Sequence, residues 1–202
     1  MNQPNQFSYQ DYGVILASQS PRRKQLLEWA EIPFEIIIHT TDESYPADLD
    51  MDDVAIHIAK NKALAVQEFI NANSPAANKK IIVAADTIVV LGSEIIGKPI
   101  DRQDAIEILQ KLAGQRHKVI TGVVMVCAEK EVAFADTTEV EFHSLTTEQI
   151  VFYVDKYRPY DKAGAYAIQE WIGVVGIHSI KGDFYNVMGL PVSKVVQALQ
   201  QW

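Results

Sequence analysis

The sequence predicts an α/β fold built on a mixed central sheet flanked by helices. Three observations carry that expectation. Strand-like apolar runs alternate with helical stretches through the first half, and strand-like runs follow one another directly in the second half. The composition is that of an ordinary globular chain: 202 residues, 48% hydrophobic and 22% charged, with 10 Gly and 8 Pro. That length suits one domain, or two small lobes sharing a core. The expected division is a polar N-terminal extension over residues 1–13 and a single domain over residues 14–202.

Val14-Ile15-Leu16-Ala17 reads as a short buried strand. It runs into Ser18-Gln19-Ser20-Pro21, where Ser20 as N-cap and Pro21 at the first helical position open a helix over Arg22 to Glu31. Phe34 to Ile38 is a second strand, and the acidic loop Thr40 to Pro46 leads to a long helix from Asp52 to Ile70. Ile58, Ala59, Ala63, Val66 and Phe69 carry its helical spacing. Asn71 to Asn78 is a polar connection. Ile81 to Leu91 is a strand, Gly92-Ser93-Glu94 a tight turn and Ile95-Ile96 a returning strand, followed by a helix from Asp101 to Ala113 that Gly114 ends. Val119 to Cys127 and Glu131 to Phe142 read as a strand pair. Thr146 and Gln149 fit a capping box at the start of the next helix. After an irregular stretch from Arg158 to Gln169, strands are expected near Val174 to Ile180 and Tyr185 to Val187, and a last helix from Val192 to Gln201.

The 18 Lys+Arg against 26 Asp+Glu give a formal net charge of −8, a field that repels nucleic acid and anionic membrane surfaces. A polyanionic ligand must then be held by local groups. The opening residues lack the basic start and apolar stretch of a signal peptide, and no apolar run reaches the ~18–20 residues of a membrane span, so a cytoplasmic location is expected. The lone Cys127 lies in an apolar run and reads as a buried thiol. The five histidines show no metal spacing, and neither a P-loop nor a dinucleotide fingerprint occurs.

Chemistry concentrates at a few points. Ser18, Ser20, Arg22, Arg23 and Lys24 put hydroxyls, a helix N-terminus and cations directly after a strand, which suits an anion. The plainer alternative is a capped basic turn on a solvated surface. Asp86 interrupts an otherwise apolar strand, so its carboxylate must be protonated, paired, metal-bound or exposed at a bend. A metal ligand or general base is the sharper reading. Lys98, at the end of the returning strand, can come back near Asp86; taken alone it reads as solvated. Glu43, in the acidic loop, is either solvated or a second oxygen ligand beside Asp86 for Mg²⁺ shared with substrate phosphates. Lys62 falls on the polar face of the long helix, where solvation is the simpler expectation. In Asp161 to Gln169, the small residues permit close backbone approach and Gln169 can donate to and accept from a nucleobase edge; a tightly packed turn explains the same residues.

Taken together, Ile15 to Leu27, Ala85-Asp86-Thr87, Gly97-Lys98-Pro99, Asp161 to Gln169 and Asn186 to Pro191 resemble, in order and spacing, the motifs of the Maf family of nucleoside triphosphate pyrophosphatases. The resemblance runs from about Val14 to Leu199. It implies an elongated two-lobed α/β structure related to the inosine triphosphatase fold, with the site in a cleft. It also implies hydrolysis of a nucleoside triphosphate between the α- and β-phosphates, with Mg²⁺ or Mn²⁺. The family's proton acceptor falls on Asp86, and Ser18, Arg22, Arg23, Glu43, Lys62, Lys98 and Gln169 match positions lining its site. Arg22, Thr87 and Gln169 match the branch acting on dTTP and UTP, with modified pyrimidine nucleotides as neighbouring substrates; the sister branch acts on methylated guanosine triphosphate. Glu170-Trp171 departs from the Gly that relatives often carry after the Gln, a change expected at the rim of the base pocket.

The implied roles give Asp86 and Lys98 the catalytic work and Glu43 with Asp86 the metal. Ser18, Ser20, Arg22, Arg23, Lys62, Thr87 and Gln169 bind substrate. The expected partner is a nucleoside triphosphate, with no nucleic acid or membrane, and a homodimer is left open. Two other classes would use the same groups: a nucleotide-binding regulator of cell division without turnover, and a metal-dependent phosphatase releasing orthophosphate.

Overall fold

The computed structural model describes residues 12–73 and 79–202. Most of the expected N-terminal extension and residues 74–78 of the expected polar connection lie outside the described residues. The elements are β1 (Val14–Leu16), α1 (Pro21–Trp29), β2 (Phe34–Ile36), α2 (Met51–Asn73), β3 (Ile81–Leu91), β4 (Glu94–Ile96), α3 (Arg102–Leu112), β5 (Arg116–Cys127) and β6 (Lys130–Phe142). Then follow α4 (Thr147–Tyr157), a 3₁₀ turn at Ala163–Ala165, α5 (Trp171–Gly176), β7 (Ile177–Lys181), α6 (Phe184–Met188) and α7 (Val192–Gln200). The strand order is β2-β1-β3-β5-β6-β7, with β4 paired to β3 off that path. The sheet is mixed as expected: β1 is parallel to β2 and to β3, whereas β3/β4 and β6/β7 are antiparallel.

Two compact units divide the chain. The first comprises residues up to Asp86, Gly122–Ala135 and Gly189–Trp202; the second comprises Thr87–Thr121 and Asp136–Met188. In the first, α2 buries Ala59, Ala63, Val66 and Ile70 against Ile15 and Ala17, Ile82 and Ala84 of β3, and Val124 and Val126 of β5. The alternate residues of each strand meet the i, i+4, i+7, i+11 stripe of the helix. The stripe differs from the expected one at its end, where Ile70 is buried and Phe69 is exposed. Helix and strand come unusually close at Gly122, where a Cβ would sit 2.3 Å from the Ala55 carbonyl carbon. Asp50 anchors the helix start by accepting from the Asp53 N–H at 2.9 Å, and Asp52 and Asp53 place negative charge at the positive end of the dipole.

In the second unit, Asp101 caps α3 by accepting from the Asp104 N–H at 2.9 Å. Thr146 and Gln149 form the expected capping box, with bonds of 3.2 and 2.9 Å. Two expected strands are corrected. Val174 to Gly176 belong to α5, and only Ile177–Lys181 are extended. The β-branched pair Val174-Val175 favours a strand locally. The helical turn forms because Gly173 has no side chain: a Cβ there would lie 1.7 Å from the Ile168 carbonyl oxygen, and the turn closes with Gly173 N–H donating to Glu170 O at 3.0 Å. Tyr185 to Val187 lie in α6. Asp183 accepts from the Tyr185 N–H at 2.8 Å and starts that turn, while the Asn186 side chain is buried on Val119 O and Thr138 Oγ1.

No helix of the described residues is long and apolar enough to cross a membrane. Cys127 is buried and in no disulfide, and burial pushes its pKa up, as expected of a packing residue.

Candidate active site

The turn between β1 and α1 is built by its own hydroxyls. Ser20 caps α1, its Oγ accepting from the Arg23 N–H at 3.4 Å, and Pro21 stands at the first helical position. Ser18 is buried, and its Oγ accepts from the Ser20 N–H at 3.2 Å and from Arg23 Nη1 at 3.1 Å. Arg23 is also buried, and its Nε donates to Gly189 O at 2.7 Å. The guanidinium therefore pins the loop before α7 to the β1–α1 turn, which gives a structural purpose to the Gly189-Leu190-Pro191 segment. Burial lowers its pKa; the Asp86 charge opposes that shift, Arg22 adds to it and Glu43 opposes it. An arginine stays charged through such a shift. Arg23 thus presents a desolvated cation in the field of two carboxylates. Arg22, the next residue back on α1, is half-buried.

Asp86 lies in β3 and is 9% exposed. Its carboxylate is paired: Lys62 Nζ on α2 donates to Asp86 Oδ1 at 2.7 Å and, equally, to Glu43 Oε1 at 2.7 Å. The Lys62 side chain is only 19% exposed, against 13% for Asp86 and 48% for Glu43. The solvated lysine expected from the sequence is corrected here. Lys62 joins the acidic loop to the strand carboxylate, because helix α2 passes over β3 with that residue at the edge of its apolar stripe.

Glu43 and Asp86 turn one oxygen each toward a single cationic position. Hard oxygen donors on a common point are the ligands that Mg²⁺ or Mn²⁺ takes, and Mg²⁺ is usually held by one or two carboxylates plus substrate phosphates. The pair fits such an ion. Among the described residues no group of three or more His, Cys, Asp and Glu side chains converges to form an all-protein cage.

The remaining expected site residues belong to the second unit. Thr87 Oγ1 lies 2.9 Å from Thr121 Oγ1. Thr121 donates to Asn186 O at 3.2 Å, which commits its one proton, so Thr87 is the donor between the two hydroxyls. The chain continues through the Asn186 amide, which donates to Thr138 Oγ1 at 3.1 Å. Lys98 is exposed; the β3/β4 ladder ends at Val89↔Ile96, two residues short of it. Its neighbours are fixed, since Gly97 O accepts from the Gly164 N–H at 3.0 Å and Pro99 is buried.

Gln169 is exposed at the end of a heavily anchored segment. Tyr153 Oη accepts from the Ala167 N–H at 3.1 Å and donates to Glu170 in a short bond. Lys162 bonds Asp161 at 2.7 Å and lies 3.7 Å from Glu170. The carboxylate of Glu170, the residue that departs from the expected Gly, is thus engaged by Tyr153 and Lys162. Neither Tyr153 nor His117 carried a sequence signal: Tyr153 lies in the apolar run Ile150 to Val154, His117 stands between Arg116 and Lys118, and their partners are 17 and 49 residues away.

His117 Nε2 is 2.8 Å from Tyr166 Oη, and its Nδ1 is buried without a partner. Its ring stacks edge-on with Phe142 and Tyr166. Burial lowers its pKa from 6.5 to about 4. The folded protein keeps this imidazole neutral while the unfolded chain protonates it near 6.5. The contribution is complete above that value and declines as pH falls, by about 3 kcal/mol at pH 4. Thermal melts from pH 7 to 4 check this: the wild type should lose stability relative to His117→Gln through that interval, and a constant difference between the two would contradict it.

A sheet of this mixed order, with a basic, hydroxyl-lined turn beside a buried aspartate and an exposed glutamate that share one lysine, defines an α/β protein with groups suited to a phosphorylated ligand. The chain belongs to the Maf-like protein family, whose model matches residues 13–202. Among its relatives, the dTTP/UTP pyrophosphatase of Cytophaga hutchinsonii is 48% identical over 188 residues, covering 93% of this chain and 83% of the relative. The proteins of the same name from Bacteroides fragilis and Parabacteroides distasonis are each 44% identical, over 94% and 95% of this chain and 96% of each relative. Among solved structures, the Staphylococcus aureus Ham1 protein superposes with a TM-score of 0.41 at 17% identity, over 64% of this chain and 71% of that one, too distant a likeness to bear on the site.

Proposed function

We propose that this chain is a nucleoside triphosphate pyrophosphatase that hydrolyses dTTP and UTP to the monophosphate and pyrophosphate. The observation that carries this is the charge cluster of Arg23, Lys62, Glu43 and Asp86, a buried cation and a paired carboxylate beside an N-capped helix start. Membership of the Maf-like family and the names of the relatives support it. Such substrates belong to the nucleotide pool, which supports a cytoplasmic location.

Glu43 and Asp86 would hold Mg²⁺ or Mn²⁺ together with substrate phosphate oxygens; when bound, the ion supplies Lewis-acid polarisation and charge neutralisation. The chain's own residues do the rest. Asp86 takes the proton of a water whose oxygen forms a bond to the α-phosphorus, while the bond from that phosphorus to the bridging oxygen breaks and pyrophosphate leaves. Lys98, Arg22 and Arg23 meet the charge that develops on the departing pyrophosphate, and the Ser18 to Ser20 turn orients the phosphates. Thr87, hydrogen-bonded to Thr121, fixes the strand directly after Asp86. Gln169 reads the base edge with its amide donor and acceptor.

The test is to incubate purified protein with Mg²⁺ or Mn²⁺ and each NTP and dNTP, measuring pyrophosphate separately from orthophosphate. Pyrophosphate from dTTP and UTP above the other nucleotides is the expected result. Orthophosphate as the first product would make the protein a phosphatase, and tight nucleotide binding without product would make it a regulator; either contradicts the proposal.

A further inference from the structure

We propose that Lys62 is a resident counter-cation that holds Glu43 and Asp86 in the arrangement a divalent ion takes, and that it gives up that position when the ion binds. This rests on the metal role given above to the two carboxylates and extends it to the residue now lying between them.

One ammonium is 2.7 Å from an oxygen of each carboxylate. The three groups come from different parts of the first unit: Glu43 from a segment with neither helix nor strand, Lys62 from α2 and Asp86 from β3. Two carboxylates facing one point repel each other unless a cation lies between them. The Glu43 side chain is half exposed, and its bond to Lys62 at 2.7 Å turns one of its oxygens toward the ammonium. Mg²⁺ binds carboxylate oxygen at about 2.0–2.1 Å. An ion bridging both oxygens at that distance leaves no room for an ammonium at the same point, so the two cations compete. Lysine suits such an exchange, being a point charge on a flexible stem with rotatable donors. Once displaced, its ammonium can turn to the triphosphate that arrives with the ion, and the positive charge remains in the site.

The consequence is read without turnover. In nucleotide-free wild-type protein, Lys62 opposes divalent ions, so Mn²⁺ titrations followed by electron paramagnetic resonance should show weak binding. Lys62→Met removes the competitor and should bind Mn²⁺ at least tenfold more tightly. The same variant should melt at a lower temperature than wild type without the ion and recover most of the difference when Mn²⁺ is added. Lys62→Gln provides a second variant with a polar side chain, and circular dichroism verifies the fold of both. Mn²⁺ affinity in Lys62→Met equal to or weaker than wild type, while Glu43→Gln abolishes binding, would overturn the counter-cation role and leave the metal pair standing. Mn²⁺ binding unaffected by both Glu43→Gln and Asp86→Asn would overturn the metal assignment and this inference with it. Both Lys62 variants unfolded with or without Mn²⁺ would also overturn it, because the lysine would then be a structural tie that no ion replaces.

Discussion

Asp86→Asn should lower turnover of dTTP at least a hundredfold while the protein stays folded. A positioned proton acceptor contributes about 10²–10⁴ in rate, and an amide of the same shape cannot accept that proton. Asp86 is held on β3 between buried Ala85 and half-buried Thr87, and asparagine has nearly the same volume, so the substitution keeps the strand pairing. It weakens the bond from Lys62, which can still pair with Glu43, and removes one of the two carboxylate charges that offset the burial of Arg23. Steady-state kinetics beside a thermal melt separate the two effects: kcat falls steeply and the melting temperature moves by a few degrees. Turnover like wild type from folded Asp86→Asn protein would remove Asp86 from the chemistry.

Lys98→Ala should have the second largest effect, a loss of about 10²–10³ in kcat, equivalent to the ~3–4 kcal/mol that one aimed donor contributes in the transition state. Lys98 is exposed, so its truncation removes no core contact. The backbone around it is fixed by buried Pro99 and by the Gly164 N–H on Gly97 O, so the alanine variant should present an unchanged loop without the ammonium. A fall in kcat with KM little changed indicates a bond made chiefly in the transition state. A rise in KM alone would reduce Lys98 to a binding residue, and unchanged kcat/KM would remove it from the site.

The β1–α1 turn was legible because its chemistry is local: the Ser20 cap and Pro21 act within one helical turn. The capping box of α4 and the long helix α2 were legible for the same reason. Lys62 was not. A helical wheel marks it as polar, but only the crossing of α2 over β3 brings it to Glu43 and Asp86, residues 19 and 24 positions away. Arg23 read correctly as a cation at an anion site, yet its bond to Gly189, 166 residues away, makes it a structural pin as well. The misread strands have the opposite cause. Val174, Val175, Tyr185 and Val187 favour strand locally, and tertiary constraints overrode them: the close approach at Gly173 and the burial of the Asn186 side chain.

The central claim is that water attacks the α-phosphorus and pyrophosphate leaves. Hydrolysis of dTTP in ¹⁸O-enriched water, with the products separated and weighed by mass spectrometry, tests it directly. Attack at that phosphorus places one heavy oxygen in the monophosphate and none in pyrophosphate. Heavy oxygen in pyrophosphate with an unlabelled monophosphate would mean attack at the β-phosphorus, and would contradict the role given to Asp86.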